Sequence, residues 1–266
     1  MPGSVALVHQ DWGEGPPVLF IHGLGASGSY WSALRRASRG YRGVAPDLLG
    51  FGRSPAPPEA SYDVDGHVDA LLPLLTPGAI VVAHSTGGVI AAALAKRAPD
   101  RVKRLLLIGL PVYANATVAR VEIGRLGWMA KATVQGRRSA RLMCAAMCRF
   151  RSVAELLAPL LVSDLPAEVA RDGVHHTWPS YRGTLERVLV EHPVGPEILT
   201  APCPVTLLHG RHDRTALLEP VEKLAAEARS VHRPVELRVT EGDHQLALRR
   251  TTLVAEVLHA QVDVAA

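Results

Sequence analysis

The chain has 266 residues, 48% of them apolar and 20% charged, a composition that excludes a disordered or fibrous protein and allows one substantial core. Its 29 Lys and Arg against 25 Asp and Glu leave a formal charge of +4, with the densest basic cluster at Arg137, Arg138, Arg141, Arg149 and Arg151. Without a concentrated stripe or a reader motif this excludes a nucleic-acid footprint, and the arginines are expected to form a solvated helix face.

Met1-Pro2-Gly3-Ser4-Val5 shows neither a basic n-region nor a long apolar h-region, so no secretory leader is expected and a cytoplasmic location follows. Residues 5–9 read as a first strand and residues 13–17 as a turn. Residues 18–21 form a continuous apolar run, as expected of a strand buried on both faces of a parallel sheet. A helix is predicted over residues 30–38, a short strand over 43–46, and a helix over 64–75. A strand at 79–83, a helix from 89 to 95 and a strand at 102–108 follow. Strands alternating with helices indicate an α/β fold with a mainly parallel sheet.

The texture changes beyond Leu110-Pro111. Residues 113–199 hold no convincing strand, and helices are predicted over 120–131, 138–150, 153–161 and 182–191. Strands resume at 205–208 and 235–239, and a closing helix is predicted over 251–262. The expected division is a core of residues 1–112 and 200–266 with a helical insertion of 113–199. No apolar run approaches the length of a membrane span, so no membrane partner is expected. Cys144, Cys148 and Cys203 form neither a CxxC pair nor a Cys/His ligand set, so no metal site, disulfide framework or cofactor is expected.

His84-Ser85-Thr86-Gly87 carries the most information. It joins the apolar run Ala79-Ile80-Val81-Val82-Ala83 to the Ala-rich stretch that begins at Gly88. Strand, small-residue turn and helix in that order make an elbow that exposes a serine hydroxyl beside the amides of a helix N-terminus. Serine needs a base. Among 12 histidines, His244 stands out because Gly242-Asp243-His244 follows the last strand, on the side of the sheet where the elbow lies. Asp213 follows the strand at 205–208 and is the expected carboxylate partner. Its competitors Asp243 and Glu241 are too close to His244 in sequence to reach the far ring nitrogen. Amides of Thr86 and Leu24 are the candidate donors to a tetrahedral oxyanion.

These parts resemble the α/β-hydrolase superfamily over nearly the whole chain: His22-Gly23, the segment Asp47-Leu48-Leu49-Gly50-Phe51-Gly52-Arg53-Ser54, the serine elbow, the aspartate loop and the terminal Asp-His. The order serine, aspartate, histidine is that of the superfamily. The resemblance implies an α/β-hydrolase fold in which residues 113–199 take the place of the family's cap. One departure is Ala83, where the family usually has glycine. The resemblance makes the segment from Asp47 structural, His22 a brace for the loop bearing Leu24, and His84 a packing residue.

Serine at the elbow argues against chemistry like that of haloalkane dehalogenases and epoxide hydrolases, which use aspartate there. The expected activity is hydrolysis of a carboxylic ester or lactone through an acyl-enzyme. The alternatives are a C–C hydrolase of ring-fission diketones, with Arg125 or Arg182 as a carboxylate clamp, or a thioesterase. A small-molecule receptor of the same fold is the alternative from a different class. Substrate contacts are expected from Trp128, Met129, His176, Trp178 and Tyr181, and the chain is expected to be a monomer or homodimer.

Overall fold

The computed structural model describes residues 5–37 and 39–265. Met1 to Ser4, where no leader pattern was read, and Ser38, the expected end of the first helix, lie outside the described residues. Seven strands form one sheet: β1 (His9–Trp12), β2 (Pro17–Ile21), β3 (Arg42–Pro46), β4 (Ala79–His84), β5 (Val102–Ile108), β6 (Val205–Gly210) and β7 (Val235–Thr240). Their spatial order is β1-β3-β2-β4-β5-β6-β7, and every pairing is parallel except that of β1 with β3.

The sequence explains which strands are central. β4 and β6 are buried at every position, as runs of aliphatic residues require when helices cover both faces. Successive side chains alternate between those faces. Leu19, Ile21, Val81, Leu105 and Leu207 enter one core, and Val18, Phe20, Ile80, Leu106 and Leu208 enter the other. Each such burial stabilises the fold by about 1.5–3 kcal/mol. The first core is covered by α2 (Val64–Leu71), α3 (Thr86–Arg97) and α11 (Leu218–Ser230), and the second by α1 (Ser32–Ala37) and α13 (Thr251–Ala265).

The expected first strand over residues 5–9 is displaced: residues 5–8 pair in no strand, and β1 begins at His9. β1 is a half-exposed antiparallel edge, so its polar residues do not advertise it, while Trp12 stacks on Phe20 at 5.3 Å. The helix predicted over 64–75 becomes α2 followed by a 3₁₀ turn at Leu72–Leu74, where Pro73 cannot donate to an α ladder.

Between β5 and β6 lie α4 (Ala116–Arg125), α5 (Trp128–Val134), α6 (Arg138–Arg149), α7 (Arg151–Leu161), α8 (Ala167–Asp172), α9 (Trp178–Thr184) and α10 (Val194–Leu199). The single helix predicted over 120–131 is two, divided at Gly127, whose φ of 144° no helix tolerates. The helix predicted over 182–191 begins earlier, at Trp178, and continues as a π turn over Leu185–Val190. Pro179 reads as a breaker but sits in the first turn, where its missing N–H costs nothing, behind a Thr177–Ser180 capping box. α8, α10, α11 and the short α12 (Leu246–Arg249) were not anticipated. Among the described residues, 113–199 hold no strand, only an isolated bridge between Phe51 and His176.

Candidate active site

β4 ends at His84 and α3 begins at Thr86, leaving Ser85 alone at the elbow with φ 53° and ψ −124°. A non-glycine residue at positive φ costs on the order of 1–3 kcal/mol and persists only where its surroundings hold it. Here Ser85 N–H donates to Ile108 O (2.9 Å), and Gly88 N–H donates to Ser85 O (2.8 Å). Gly87 permits the close approach of α3 to β2: a Cβ there would lie 2.5 Å from His22 O and 2.6 Å from Ile21 O, backbone atoms that cannot yield. Ala83 is fully buried and keeps its register opposite Ile21 and Leu107, so its extra methyl is accommodated.

The ends of β6 and β7 supply two further groups. His244 Nδ1 lies 2.8 Å from Asp213 Oδ2. The other oxygen of Asp213 accepts from the amides of Thr215 and Ala216, both at 2.8 Å. Burial alone would raise the Asp213 carboxyl, but the His244 hydrogen bond and charge, together with those amides, outweigh it and hold the group below its ordinary value. An ionised carboxylate can only accept, so His244 carries a proton on Nδ1, and in the neutral ring Nε2 is then the acceptor. The loop at Ile108-Gly109 connects this pair to the serine. Ile108 O receives the Ser85 amide, and a Cβ on Gly109 would lie 3.1 Å from His244 Nδ1 and 3.4 Å from Asp213 Oδ2. Ser85 Oγ forms no hydrogen bond among the described residues.

His84 also bears on His244. Its ring stacks on Tyr30 (4.6 Å) and lies 4.7 Å from the His244 ring. Its Nε2–H donates to the His244 carbonyl (2.8 Å). Burial, and secondarily the His244 charge, push His84 down to about 3, so it stays neutral. Tyr30 OH donates to Gln245 Oε1 (3.2 Å), so the stacked Tyr30 and His84 both bond to the loop carrying His244. Tyr30 escaped the sequence reading because its partners are more than 50 residues away.

His22 is fully buried, donates from Nδ1 to Gly23 O (2.7 Å) and accepts at Nε2 from Leu48 N–H (2.9 Å), bracing the loop that bears Leu24. Asp47 accepts from the amides of Gly28 (2.7 Å) and Arg53 (2.8 Å), so it shapes loops. Thr86 opens α3, where the first amides lack intrahelical acceptors. Of the competitors, Asp243 is bonded to Gln245 N–H and Arg249, and Glu241 to Arg211 and His212, both away from the His244 ring.

The residues expected to contact substrate are not gathered together. Tyr181 and His176 pack ring to ring at 4.7 Å, and a side chain on Gly25 would touch Tyr181 Cε2 at 3.3 Å, so this pair lies over the Leu24 loop. Ser27 Oγ donates to Asp172 Oδ2 (2.6 Å), fastening the same segment down. Trp178 is half-buried beneath the Arg182 guanidinium, 5.9 Å from its ring. Met129 is half-buried in α5, and Trp128 is 68% exposed with no ring contact among the described residues. Two surface cavities, of about 390 and 260 Å³, are lined by Asp63, Arg97 and His192 and by Val89, Tyr113 and Leu189 respectively; neither is lined by Ser85 or His244. Among the described residues no group of three or more His, Cys, Asp or Glu is arranged to hold a metal ion.

Five histidines shielded from water give the fold an acid limit. Burial lowers His67 and His176 to about 4 and His84 to about 3, and it lowers His22 and His209 as well. Each is neutral when folded but protonates near pH 6.5 when unfolded, so the stability it contributes is full above that pH and is lost as pH falls toward the folded value. Urea unfolding from pH 7 to pH 4 should show stability declining by about 1.4 kcal/mol per pH unit for each such histidine. A constant stability over that window would contradict their burial in neutral form.

A family model described as the alpha/beta hydrolase fold matches residues 16–143. The chain is 41% identical over 107 residues to a 2-hydroxymuconate semialdehyde hydrolase of Pseudomonas sp. (strain CF600), covering 37% of this chain and 38% of the relative. It is 39% identical over 111 residues to the probable lysophospholipase BODYGUARD 5 of Arabidopsis thaliana, covering 37% of this chain and 25% of that one. The matches thus span well under half the length of these relatives. Among solved structures, a thermophilic esterase from Thermogutta terrifontis superposes with a TM-score of 0.72 at 22% identity, covering 99% of this chain and 95% of that one.

Proposed function

We propose that the chain, which has the α/β-hydrolase fold and resembles that family's model over residues 16–143, is a serine hydrolase cleaving a carboxylic ester or lactone through an acyl-enzyme. One observation carries this: an ionised, buried Asp213 bonded at 2.8 Å to the His244 that flanks the strained elbow of Ser85. Ser85 Oγ attacks the substrate carbonyl as His244 Nε2 takes its proton. The oxyanion forms against the amides of Leu24 and Thr86. His244 then delivers that proton to the departing alcohol, Asp213 stabilising the charged ring. Water attacks the acyl-enzyme through the same base, restoring Ser85 and releasing the acid.

In this scheme residues 113–199 act as a helical cap over a core of 1–112 and 200–266. His176 and Tyr181, which lie over the Leu24 loop, meet the acyl group. Trp128 is left out because of its exposure. C–C bond hydrolysis is the second reading, favoured by the likeness to the Pseudomonas relative. Of the two proposed clamps, Arg125 pairs with Glu122 at 2.6 Å, and Arg182 lies over Trp178 with its Nε–H buried and unpartnered.

A fluorophosphonate should label the native protein at Ser85, as read by mass spectrometry of the modified peptide. A panel of p-nitrophenyl esters, lactones and a ring-fission diketone then separates the two readings. Turnover of the diketone alone would favour C–C cleavage, and absence of labelling would remove serine chemistry altogether.

A further inference from the structure

We infer that the consecutive helices α6 and α7 form a docking surface for an anionic lipid bilayer, lying flat on it. α7 places apolar residues at Val153, Leu156, Leu157, Leu160 and Leu161, the i, i+3, i+4, i+7, i+8 spacing of a single helical face. In a globular protein such a stripe faces the core. Here it faces outward: Leu156, Leu160 and Leu161 are 71%, 75% and 80% exposed, while the buried side of the helix is formed around Ala158. Leu142 in α6 and Phe150, which joins the two helices, are also exposed. A contiguous apolar face of this kind marks an interaction site.

The charge on the same helices identifies the occupant. Residues 137–161 hold five arginines and one acid, Glu155, which is the chain's whole excess of +4; the other 24 basic and 24 acidic residues balance. Glu155 is taken by His175 at 2.8 Å. Arg151 turns inward to donate to His176 O (3.1 Å). Arg137, Arg138, Arg141 and Arg149 form no ion pair among the described residues. A second copy of the chain would bring the same positive face against this one, so charge opposes a symmetric dimer. Anionic headgroups above an acyl layer satisfy both the arginines and the leucines, as for an amphipathic helix in the plane of a membrane. No helix among the described residues is long and apolar enough to cross a bilayer, which separates surface docking from insertion.

Sedimentation with vesicles tests this without reference to turnover, so it stands or falls apart from the hydrolase reading. The full chain should be retained by vesicles of equal parts phosphatidylglycerol and phosphatidylcholine, and far less by phosphatidylcholine alone. Retention should fall in about 1 M salt, where the screening length shrinks to about 3 Å. Leu156→Ser with Leu160→Ser, and separately Arg141→Glu with Arg149→Glu, should each weaken retention by about tenfold or more. These positions are exposed, so the thermal midpoint should not move and loss of fold is distinguishable from loss of docking. No retention, equal retention by neutral and anionic vesicles, or retention unaffected by either pair would overturn the inference. So would concentration-dependent dimers in sedimentation velocity without vesicle binding, which would assign the surface to a second copy.

Discussion

Ser85→Ala is expected to lower kcat on a chromogenic ester by roughly 10⁴-fold or more and to abolish fluorophosphonate labelling, with the fold unchanged. The substitution removes one oxygen that bonds to nothing among the described residues. The elbow geometry depends on the Ser85 amide and carbonyl and on the closeness that Gly87 allows, all of which remain. Alanine inherits the same φ of 53°, so the backbone strain neither grows nor disappears. On the proposed reading Ser85 and His244 act as one unit, so Ser85→Ala and His244→Ala combined should lose little more than either alone. Additive losses would mean that the proton goes elsewhere. The remaining candidates near the aspartate are poor ones: His209 is buried and bonded to Ala216 O (2.8 Å), and His212 pairs with exposed Glu241.

The elbow was legible because its signal is local. An aliphatic run, a turn of small residues and an Ala-rich helix follow one another without interruption. Asp213 and His244 were legible for a related reason: in a parallel sheet the residues after each strand converge at one edge, so chain position stands in for space. The segment between β5 and β6 offers no such rule. A helical period shows that one face is apolar but not which way that face points, and α7 points it outward. The same blindness placed Trp128 in a pocket, although its helix turns it to solvent. The arginines around α6 were read as a solvated face; four are exposed, and so are leucines of the same two helices, whose exposure only the fold reveals. α11 is different, since Val221, Leu224, Ala225 and Ala228 keep a plain helical period that the sequence displays. The first strand was expected at residues 5–9 and not at His9–Trp12 because an edge strand with one wet face need not look apolar.

Asp213→Asn should cost about 10⁴-fold in kcat with the structure retained, and the cause lies in which oxygen does what. Oδ1 accepts two backbone amides, so the asparagine carbonyl must take that place. The NH₂ group then falls where Oδ2 stood, 2.8 Å from His244 Nδ1, and offers a proton where the carboxylate accepted one. Nδ1 has to become the acceptor, its proton moves to Nε2, and the ring presents a donor to Ser85 in place of a base. The change also removes a stabilising charge. Because Asp213 is held below the ordinary carboxylate value, its ionised form stabilises the fold above the unfolded pKa of about 4, and that stabilisation is lost as pH falls through the lowered folded value. Urea unfolding should therefore find the variant weaker than the native chain at pH 7 and the gap narrowing below about pH 4. A variant with native turnover would hand the orienting role to Glu241 or Asp243. Both are already committed to arginines, so that outcome would require the loop after β7 to rearrange before the first proton moved.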